Sequence, residues 1–340
     1  MGIQVGIHGR VRLAAAAVGF VACWSSGFLA AKVGTAQAPA VTLTLWRFLV
    51  AAAVLALLLA ARHAVATCGG NRPRTPGDAR AAPGLGNPPR GRQLAHQAGI
   101  GVLSQVGYVL PVYGAIALGV STGAASLVDA VQPVVVATLA GPLLGVRVHA
   151  AQWAGLVAAS GGVALLVGAD LRASDAPAAA YGLPAVAVAS LVAATFWQRR
   201  LAVTSPALPA LTVHTAASVV VLVLVAVATG TATPPRDPTF WANATFTALV
   251  PMLGAYTLYW HLLRSVDVTV LNALLFLVVP TTTLAGAAFF DEPFTVGTLT
   301  GLVLAGAGVA AVIGGERRRG APEGVSDRAG EHAPGSAARG

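Results

Sequence analysis

Ten apolar runs, each about 20 residues long, follow one another along the chain. They lie at about 13–32, 41–61, 94–117, 121–144, 150–168, 180–198, 211–230, 243–263, 268–290 and 296–314. A helix needs about 20 residues to cross a bilayer core of about 30 Å, whereas barrel strands alternate polar and apolar residues. The runs therefore predict an all-α polytopic membrane protein with ten transmembrane helices, surrounded by membrane lipid.

Composition and the placement of charge agree with this prediction. Of the 340 residues, 56% are hydrophobic and 10% are charged, and the mean hydropathy is +0.74. A soluble domain carries roughly a quarter charged residues, so this chain has too little charge to cover a surface in water. The net charge of +9 comes from arginines between the apolar runs or in the tail, which indicates a topology signal rather than a nucleic-acid partner.

The sequence contains no pattern that is typical of a cofactor or metal site. Cys23 and Cys68 are its only cysteines, and two cysteines make neither a disulfide framework nor a metal centre. The sequence also has no phosphate-binding loop and no cluster of cysteine and histidine. We therefore predict that the protein binds no cofactor and no metal.

The arginines and lysines between the runs predict the orientation in the membrane. With the amino terminus in the cytoplasm, 17 of these residues lie in inside segments and 3 in outside segments. Positive charge accumulates on the cytoplasmic side, so both termini are expected there. We expect a cytoplasmic segment at 1–12, a flexible cytoplasmic loop at 62–93 and a disordered basic tail at 315–340.

Two parts of the chain resemble each other at one offset. GLVAASGGVALLVG (155–168) and GLVLAGAGVAAVIG (301–314) are identical at eight of fourteen positions, 146 residues apart. Pro133 and Pro280 lie at nearly the same offset, 147 residues apart. Similar landmarks in the same order indicate an internal duplication.

The duplicated units are 13–168 and 180–314, with five apolar runs in each. An odd number of spans makes the second copy enter the membrane from the opposite side. The sequence therefore predicts two inverted five-helix repeats around a central cavity, which is the architecture of alternating-access carriers.

Several motifs also match a known family in order and spacing. The first half contains WSSGFLAAKVG (24–34) and LTLWRFLVAAAVLAL (43–57), and the second contains FWQRRL (196–201) and VVPTTTLAGAAFFDE (278–292). Together they resemble the EamA-type carriers of the drug/metabolite transporter superfamily. The resemblance implies a secondary transporter in a bacterial inner membrane that moves a small organic metabolite or drug-like solute, with export favoured over uptake.

One position departs from the family pattern. A small residue followed by glutamate is frequent in the family after the fourth and ninth spans. The second half of this chain has Asp291 and Glu292 there, but the first half has Gly145, Val146 and Arg147. If that glutamate acts in gating, its first-half version is missing.

Two ionisable residues inside apolar runs are the main candidates for a substrate site. Arg47 lies about 9 Å and Asp129 about 12 Å from the outer face, at about 1.5 Å per residue. Charged groups within the membrane normally face a bundle interior or a watery cavity, so we expect them to be partners. The pattern is compatible with a structural ion pair, with a substrate or proton site, and with a lipid-facing placement.

Other residues extend this predicted site. We expect aromatic and polar side chains to line the cavity and two prolines to act as gates or hinges, because proline kinks a helix. The cavity residues are Trp24, Gln105, Tyr108 and Tyr256, and the hinge residues are Pro133 and Pro280. Trp260 and His214 are expected at the membrane interface.

Several alternatives stay open at this stage. The substrate is a small molecule, and an amino acid, another metabolite, a nucleobase and a cationic drug all fit the sequence. Proton or ion coupling, a monomer and a homodimer are also compatible with it. A non-transporting membrane scaffold and an intramembrane enzyme are the alternative functions. We do not expect an enzyme, because no Gly-x-Ser-x-Gly stretch lies within a span and Asp129 has no second membrane aspartate at its depth.

Overall fold

The computed structural model describes residues 7–68, 91–144, 150–201, 207–266 and 268–320. The helices of the first half are α1 Ile7–Thr35, α2 Ala40–Cys68, α3 Arg92–Gly101, α4 Gly107–Ala117, α5 Thr122–Leu144 and α6 Ala150–Ala173. Those of the second half are α7 Gly182–Leu201, α8 Ala207–Ala228, α9 Pro238–Thr247, α10 Ala255–Ser265, α11 Val268–Phe290 and α12 Val296–Gly320. A short 3₁₀ turn, Ala178–Tyr181, precedes α7.

Seven of the described helical segments are long and apolar enough to cross a membrane by length and composition. Two shorter apolar stretches, Thr122–Val136 and Val296–Gly308, lie within α5 and α12. Helices suit this environment because each one satisfies its backbone hydrogen bonds within its own segment, where lipid offers no partner. The chain is therefore an all-helical, multi-pass membrane protein.

Two rods are interrupted by π-helical turns. Val102–Val106 joins α3 to α4, and Ala248–Gly254 joins α9 to α10. The two segments lie at equivalent positions of the two halves, and Pro251 is inside the second one. Such turns widen the hydrogen-bond ladder by one residue and are frequent at functional sites.

Specific residues end and begin helices at one end of the bundle. Gly119 (φ 98°) follows α4 and Gly230 (φ 67°) follows α8, each in the left-handed conformation that suits glycine. Asp237 caps α9 by accepting a hydrogen bond from Thr239 N at 2.8 Å. These signals fix where the polypeptide turns back into the bundle.

Several predicted boundaries differ from the structure. α1 begins at Ile7, inside the segment expected to precede the first span, and α2 continues to Cys68, into the predicted loop. Residues 315–320 are helical rather than disordered, because α12 continues to Gly320. Arginine and alanine are good helix formers, so helices extend beyond the apolar core of a span. The rest of that loop and tail, and the Gly145–Arg147 position, lie outside the described residues.

The two halves pack against each other in matching pairs. α2 packs along α8, α5 along α11 and α6 along α12. α1 contacts α10 and α11, while α7 contacts α4 and α5. Helices α7 to α12 of the second half correspond in order to α1 to α6 of the first half. Exchanging the two halves therefore reproduces these contacts.

The α6–α12 contact is the closest in the bundle. A Cβ atom on Gly162 would lie 2.6 Å from Gly301 O, and one on Gly297 would lie 3.0 Å from Ala169 Cβ. As residue numbers rise along α6 they fall along α12, so the two helices run antiparallel. Small residues therefore serve here for helix packing.

Candidate functional site

A cavity of about 500 Å³ lies between the two halves of the bundle. Small-molecule sites commonly occupy about 300–1,000 Å³. Its lining extends to the exposed Gln198, next to Arg199 and Arg200, at what we call the arginine-rich end. In the other direction the lining reaches Arg47 and Tyr113. The cavity therefore runs from one end of the bundle into its interior.

Polar side chains occupy one side of the cavity, which we call the amide wall. It is formed by α3 with its π-helical turn, α5, α7 and α8, and its polar residues are Gln97, Ser104, Gln105, Gln132, Thr195, Gln198 and His214. His214 Nε2 lies 2.7 Å from Gln97 Oε1. The two side chains are therefore hydrogen-bond partners, and the histidine tautomer sets which of them donates.

Aromatic side chains from two other helices form a second part of the lining, which we call the aromatic wall. Trp24 on α1 and Tyr256, Tyr259 and Trp260 on α10 line the cavity there. Trp260 packs edge-on against Tyr256 and Tyr259, with ring centroids 6.1 and 6.4 Å apart. Phe20 lies between Tyr259 and Trp24, at 6.2 and 5.4 Å. The rings form one connected cluster and hold each other in place.

Arg47 lies at the inner limit of the cavity and is 7% exposed. Its Nη1 donates a hydrogen bond to the Tyr113 hydroxyl. Its guanidinium carbon lies 5.7 Å from the Phe48 ring centroid and 5.5 Å from that of Tyr113. Ring faces stabilise a cation at these distances, so the charge is fixed in one position inside the membrane.

A charged contact closes the end of the bundle opposite the arginine-rich end. Lys32 Nζ, near the end of α1, lies 2.5 Å from Glu292 Oε1. Thr122 donates to the same carboxylate from its backbone N at 3.0 Å and from its hydroxyl at 2.7 Å. Asp291 has φ 53° and turns the chain after α11 so that Glu292 points back into the bundle. We call Lys32, Thr122 and Glu292 the latch.

A second carboxylate lies beside the latch. Asp170 Oδ2 accepts hydrogen bonds from Ser121 N at 3.1 Å and from the Tyr181 hydroxyl at 2.7 Å. Asp170 and Glu292 thus receive the first backbone N–H groups of α5, where the helix dipole favours negative charge. The beginning of α5 is therefore attached to both halves of the protein.

Comparison with known families decides the identity of the chain. The model of the EamA-like transporter family matches residues 12–168 and again residues 179–314. The chain belongs to the EamA-like transporter family. This EamA-like transporter is therefore a membrane transporter of the drug/metabolite transporter superfamily, and its family consists of transporters rather than enzymes.

Structural comparison agrees with the family at the level of fold. A solved structure described as "Crystal structure of protein" is similar to this EamA-like transporter, with a TM-score of 0.55 and 21% sequence identity. The alignment covers 91% of this chain and 99% of the other. No curated protein matches the chain.

The structure brings together most of the residues that the sequence singled out. The cavity of the EamA-like transporter is lined by Trp24, Arg47, Gln105, Tyr108 and Tyr256. Whether they contact substrate stays a prediction. Asp129 belongs to α5, but its side chain lies outside the described part of the structure.

The predicted hinge prolines lie away from the visible interruptions. α5 continues through Pro133 and α11 through Pro280 without a break in the helix. The interruptions of the EamA-like transporter are the π-helical turns of the α3–α4 and α9–α10 rods. A hinge role for the two prolines stays a prediction.

Sequence reasoning missed several lining residues and the latch. His214 and Trp260 line the cavity; their expected depth at the membrane interface stays a prediction. Gln97, Gln132 and Gln198 could have been predicted as lining residues, because an amide inside an apolar run is costly to bury without a hydrogen-bond partner. The Lys32–Glu292 contact could not, because its partners are 260 positions apart.

Proposed function

We propose that this EamA-like transporter moves a small organic solute across a bacterial inner membrane by alternating access. The cavity carries the proposal: it lies between the two halves and reaches the arginine-rich end, while the latch contact joins the two halves at the other end of the bundle. A carrier needs such a compartment open to one side at a time. The solute would bind between the amide wall and the aromatic wall.

The proposal includes ten spans arranged as two inverted repeats. Its support is the antiparallel contact of α6 with α12, which are equivalent helices of the two halves. Equivalent helices that run in opposite directions are what an inverted duplication produces. The α3–α4 and α9–α10 rods, each counted as one span, complete the set of ten.

We further propose that the arginine-rich end faces the cytoplasm and that both termini lie there. The excess of basic residues in the predicted inside segments supports this orientation. The described conformation would then collect solute from the cytoplasm, which favours export over uptake. Coupling to a proton or another ion would act through Arg47 at the inner limit of the cavity, together with Asp129, the partner that the sequence predicts for it.

The faces of α6 and α12 that carry glycines are relevant to the oligomeric state. Gly155, Gly162, Gly301 and Gly308 lie in the contact between these helices of one chain. They are therefore occupied within the chain and do not form a surface for a second copy. We propose that the monomer contains the complete transport pathway.

Side-specific labelling tests alternating access without knowledge of the substrate. Cys23 and Cys68 are replaced by serine, Ser104 on the amide wall is replaced by cysteine, and a membrane-impermeant maleimide is added to vesicles of either orientation. We expect rapid labelling from the arginine-rich end and labelling from the other end once Glu292→Gln opens the latch. Labelling from one end alone, with the latch intact or broken, would contradict the proposal.

A further inference from the structure

The two walls of the cavity differ in chemistry, and one pair of equivalent helices shows the difference directly. α7 contributes Thr195 and Gln198, where its counterpart α1 contributes Trp24 and Phe28. α3 and its π-helical turn add Gln97 and Gln105 to the amide wall, and α10 adds aromatic rings to the aromatic wall. The cavity thus has a neutral polar wall and an aromatic wall, with the charge of Arg47 at its inner limit.

Hydrogen bonds hold the amides of the polar side in fixed orientations. Ser218, which is fully buried, donates from Oγ to Gln105 Oε1 at 3.1 Å. Gln132 Nε2 donates to Thr195 Oγ1 at 3.4 Å. The first contact uses the oxygen of Gln105 and directs its NH₂ group toward other acceptors; the second uses the nitrogen of Gln132 and leaves its oxygen as an acceptor.

The amide wall therefore offers a neutral donor and a neutral acceptor, which line the same cavity as the His214–Gln97 pair. A carboxylate provides acceptors alone and an ammonium group provides donors alone. The group that satisfies both Gln105 and Gln132 carries donors and acceptors on one edge, as a lactam or an amidine does. Glutamine recognises the edges of nucleic-acid bases in this way.

The aromatic wall adds a requirement for shape. Its rings are connected from Trp24 through Phe20 and Tyr259 to Trp260, so the wall is a preformed apolar surface. A flat ring gains the most from such a surface by stacking, as bases do on the aromatic side chains of proteins that bind single-stranded nucleic acids. The cavity of about 500 Å³ has room for a bicyclic ring with a substituent.

We propose that the cavity selects an uncharged, planar heterocycle with both donors and acceptors on its edge, the chemistry of a purine base or its nucleoside. This inference rests on the proposed function, because it takes the cavity as the place where the transported solute binds. Gln105 and Gln132 would read the edge of the ring, and Trp260 would stack on its face.

Binding to the purified full-length protein tests the proposal with four defined probes. These are hypoxanthine and inosine, the aromatic anion indole-3-acetate and the aromatic cation tetraphenylphosphonium. Trp24 and Trp260 line the cavity, so quenching of tryptophan fluorescence reports occupancy, and thermal stabilisation provides a second readout. We expect hypoxanthine and inosine to bind at least about tenfold more tightly than the two ions.

Variants assign the binding to the two walls. Gln105→Met and Gln132→Met keep the length of the side chain and remove its hydrogen bonds, so each should weaken hypoxanthine binding about tenfold. Trp260→Leu should weaken the binding of every ring probe. Gln37→Met is the matched control, because Gln37 Nε2 also donates to a threonine, Thr239 Oγ1 at 3.1 Å, but lies outside the cavity lining. It should leave every affinity unchanged.

The outcomes separate this inference from the transport proposal. Tighter binding of either ion, or hypoxanthine binding that survives both glutamine substitutions in folded protein, would overturn the inference. Absence of binding by hypoxanthine and inosine would overturn it as well. The labelling of the Ser104→Cys variant uses no solute, so it tests alternating access independently of these binding results.

Discussion

Lys32 Nζ lies 2.5 Å from Glu292 Oε1 and thereby joins the end of α1 to the connection between α11 and α12. The Glu292 side chain is 6% exposed, and the carboxylate also receives two hydrogen bonds from Thr122. Two helices of the first repeat, α1 and α5, thus meet a connection of the second repeat at one carboxylate. Opening this end of the bundle requires these contacts to break.

Glu292→Gln should favour opening at the latch end, because it removes the charge that Lys32 and Thr122 stabilise. The loss of charge-assisted hydrogen bonds of this kind amounts to about 1–3 kcal/mol, roughly a 5- to 150-fold shift between closed and open states. The rate of maleimide labelling of the Ser104→Cys variant from the latch end measures that shift.

Asp237→Asn is the matched control for the latch. Asp237 is an acidic residue in the connection between α8 and α9, but it caps its own helix through Thr239 instead of bridging the repeats. Its substitution should leave the labelling rate unchanged. Equal rates in both variants and the parent would show that the Lys32–Glu292 contact does not control access.

The same control residue has a pH signature of its own. The hydrogen bond from the backbone N–H of Thr239 holds the pKa of Asp237 below its usual range. A carboxyl whose folded pKa is depressed stabilises the fold above its unfolded pKa and loses that contribution as the pH falls through the folded value. The protection of amides at the start of α9 against exchange should therefore fall as the pH drops below the ordinary carboxyl value of 3.8, and Asp237→Asn should remove this pH dependence.

The adjacent glycines Gly161 and Gly162 should respond differently to the same substitution. A Cβ on Gly162 would lie 2.6 Å from Gly301 O and 2.7 Å from Ala305 Cα, both backbone atoms, whereas one on Gly161 would lie 3.6 Å from the side chain of Leu304. Gly162→Ala should lower the unfolding free energy by about 1–3 kcal/mol, as overpacking does, and Gly161→Ala should be close to neutral. Thermal unfolding in detergent compares them. Equal stabilities would contradict the close α6–α12 contact.

Pro280 and Pro251 distinguish two locations for the moving parts. Pro280 lies in the continuous helix α11, whereas Pro251 lies in a π-helical turn. This turn packs closely against α1, because a Cβ added to Gly27 would lie 3.0 Å from Pro251 Cβ. If either proline serves movement, its replacement by alanine should reduce turnover more than affinity. We expect the larger reduction from Pro251→Ala, because a proline-free segment returns more readily to a regular α-helix. Lost affinity with unchanged turnover would indicate a role in the cavity wall instead.

Reporter fusions test the orientation. Fusions within 69–90 and after Gly320 should report the cytoplasm, and a fusion near Arg172, at the end of α6, should report the opposite side. The excess of basic residues in the predicted inside segments is the physical reason. A reporter within 69–90 on the outer side would reverse the orientation and with it the proposed direction of transport.

Local patterns in the sequence were enough to predict the helices, the duplication and much of the cavity. Apolar runs locate helices because lipid imposes one requirement on every backbone group, and Trp24, Arg47 and Tyr108 stood out as large or polar groups within such runs. The pairing of Lys32 with Glu292 could not be predicted, because it depends on how α1 meets a distant connection. The π-helical turns were also missed, since one extra residue per turn leaves no mark on hydropathy.

Asp129 remains the most informative residue for a final test. Among the described residues, Arg47 Nε is buried without a hydrogen-bond partner, which leaves this donor for a carboxylate. If Asp129 is that carboxylate, Asp129→Asn leaves a buried guanidinium without its counter-charge, which should lower stability by about 3–5 kcal/mol.

The double variant Arg47→Asp with Asp129→Arg should restore folded yield if the pair is structural. It should not restore transport if either charge contacts solute or carries a proton. Folded yield and pH-dependent flux of hypoxanthine, measured for both single variants and the exchange, separate these roles. Parental yield and flux for Asp129→Asn at every pH would exclude Asp129 from the site.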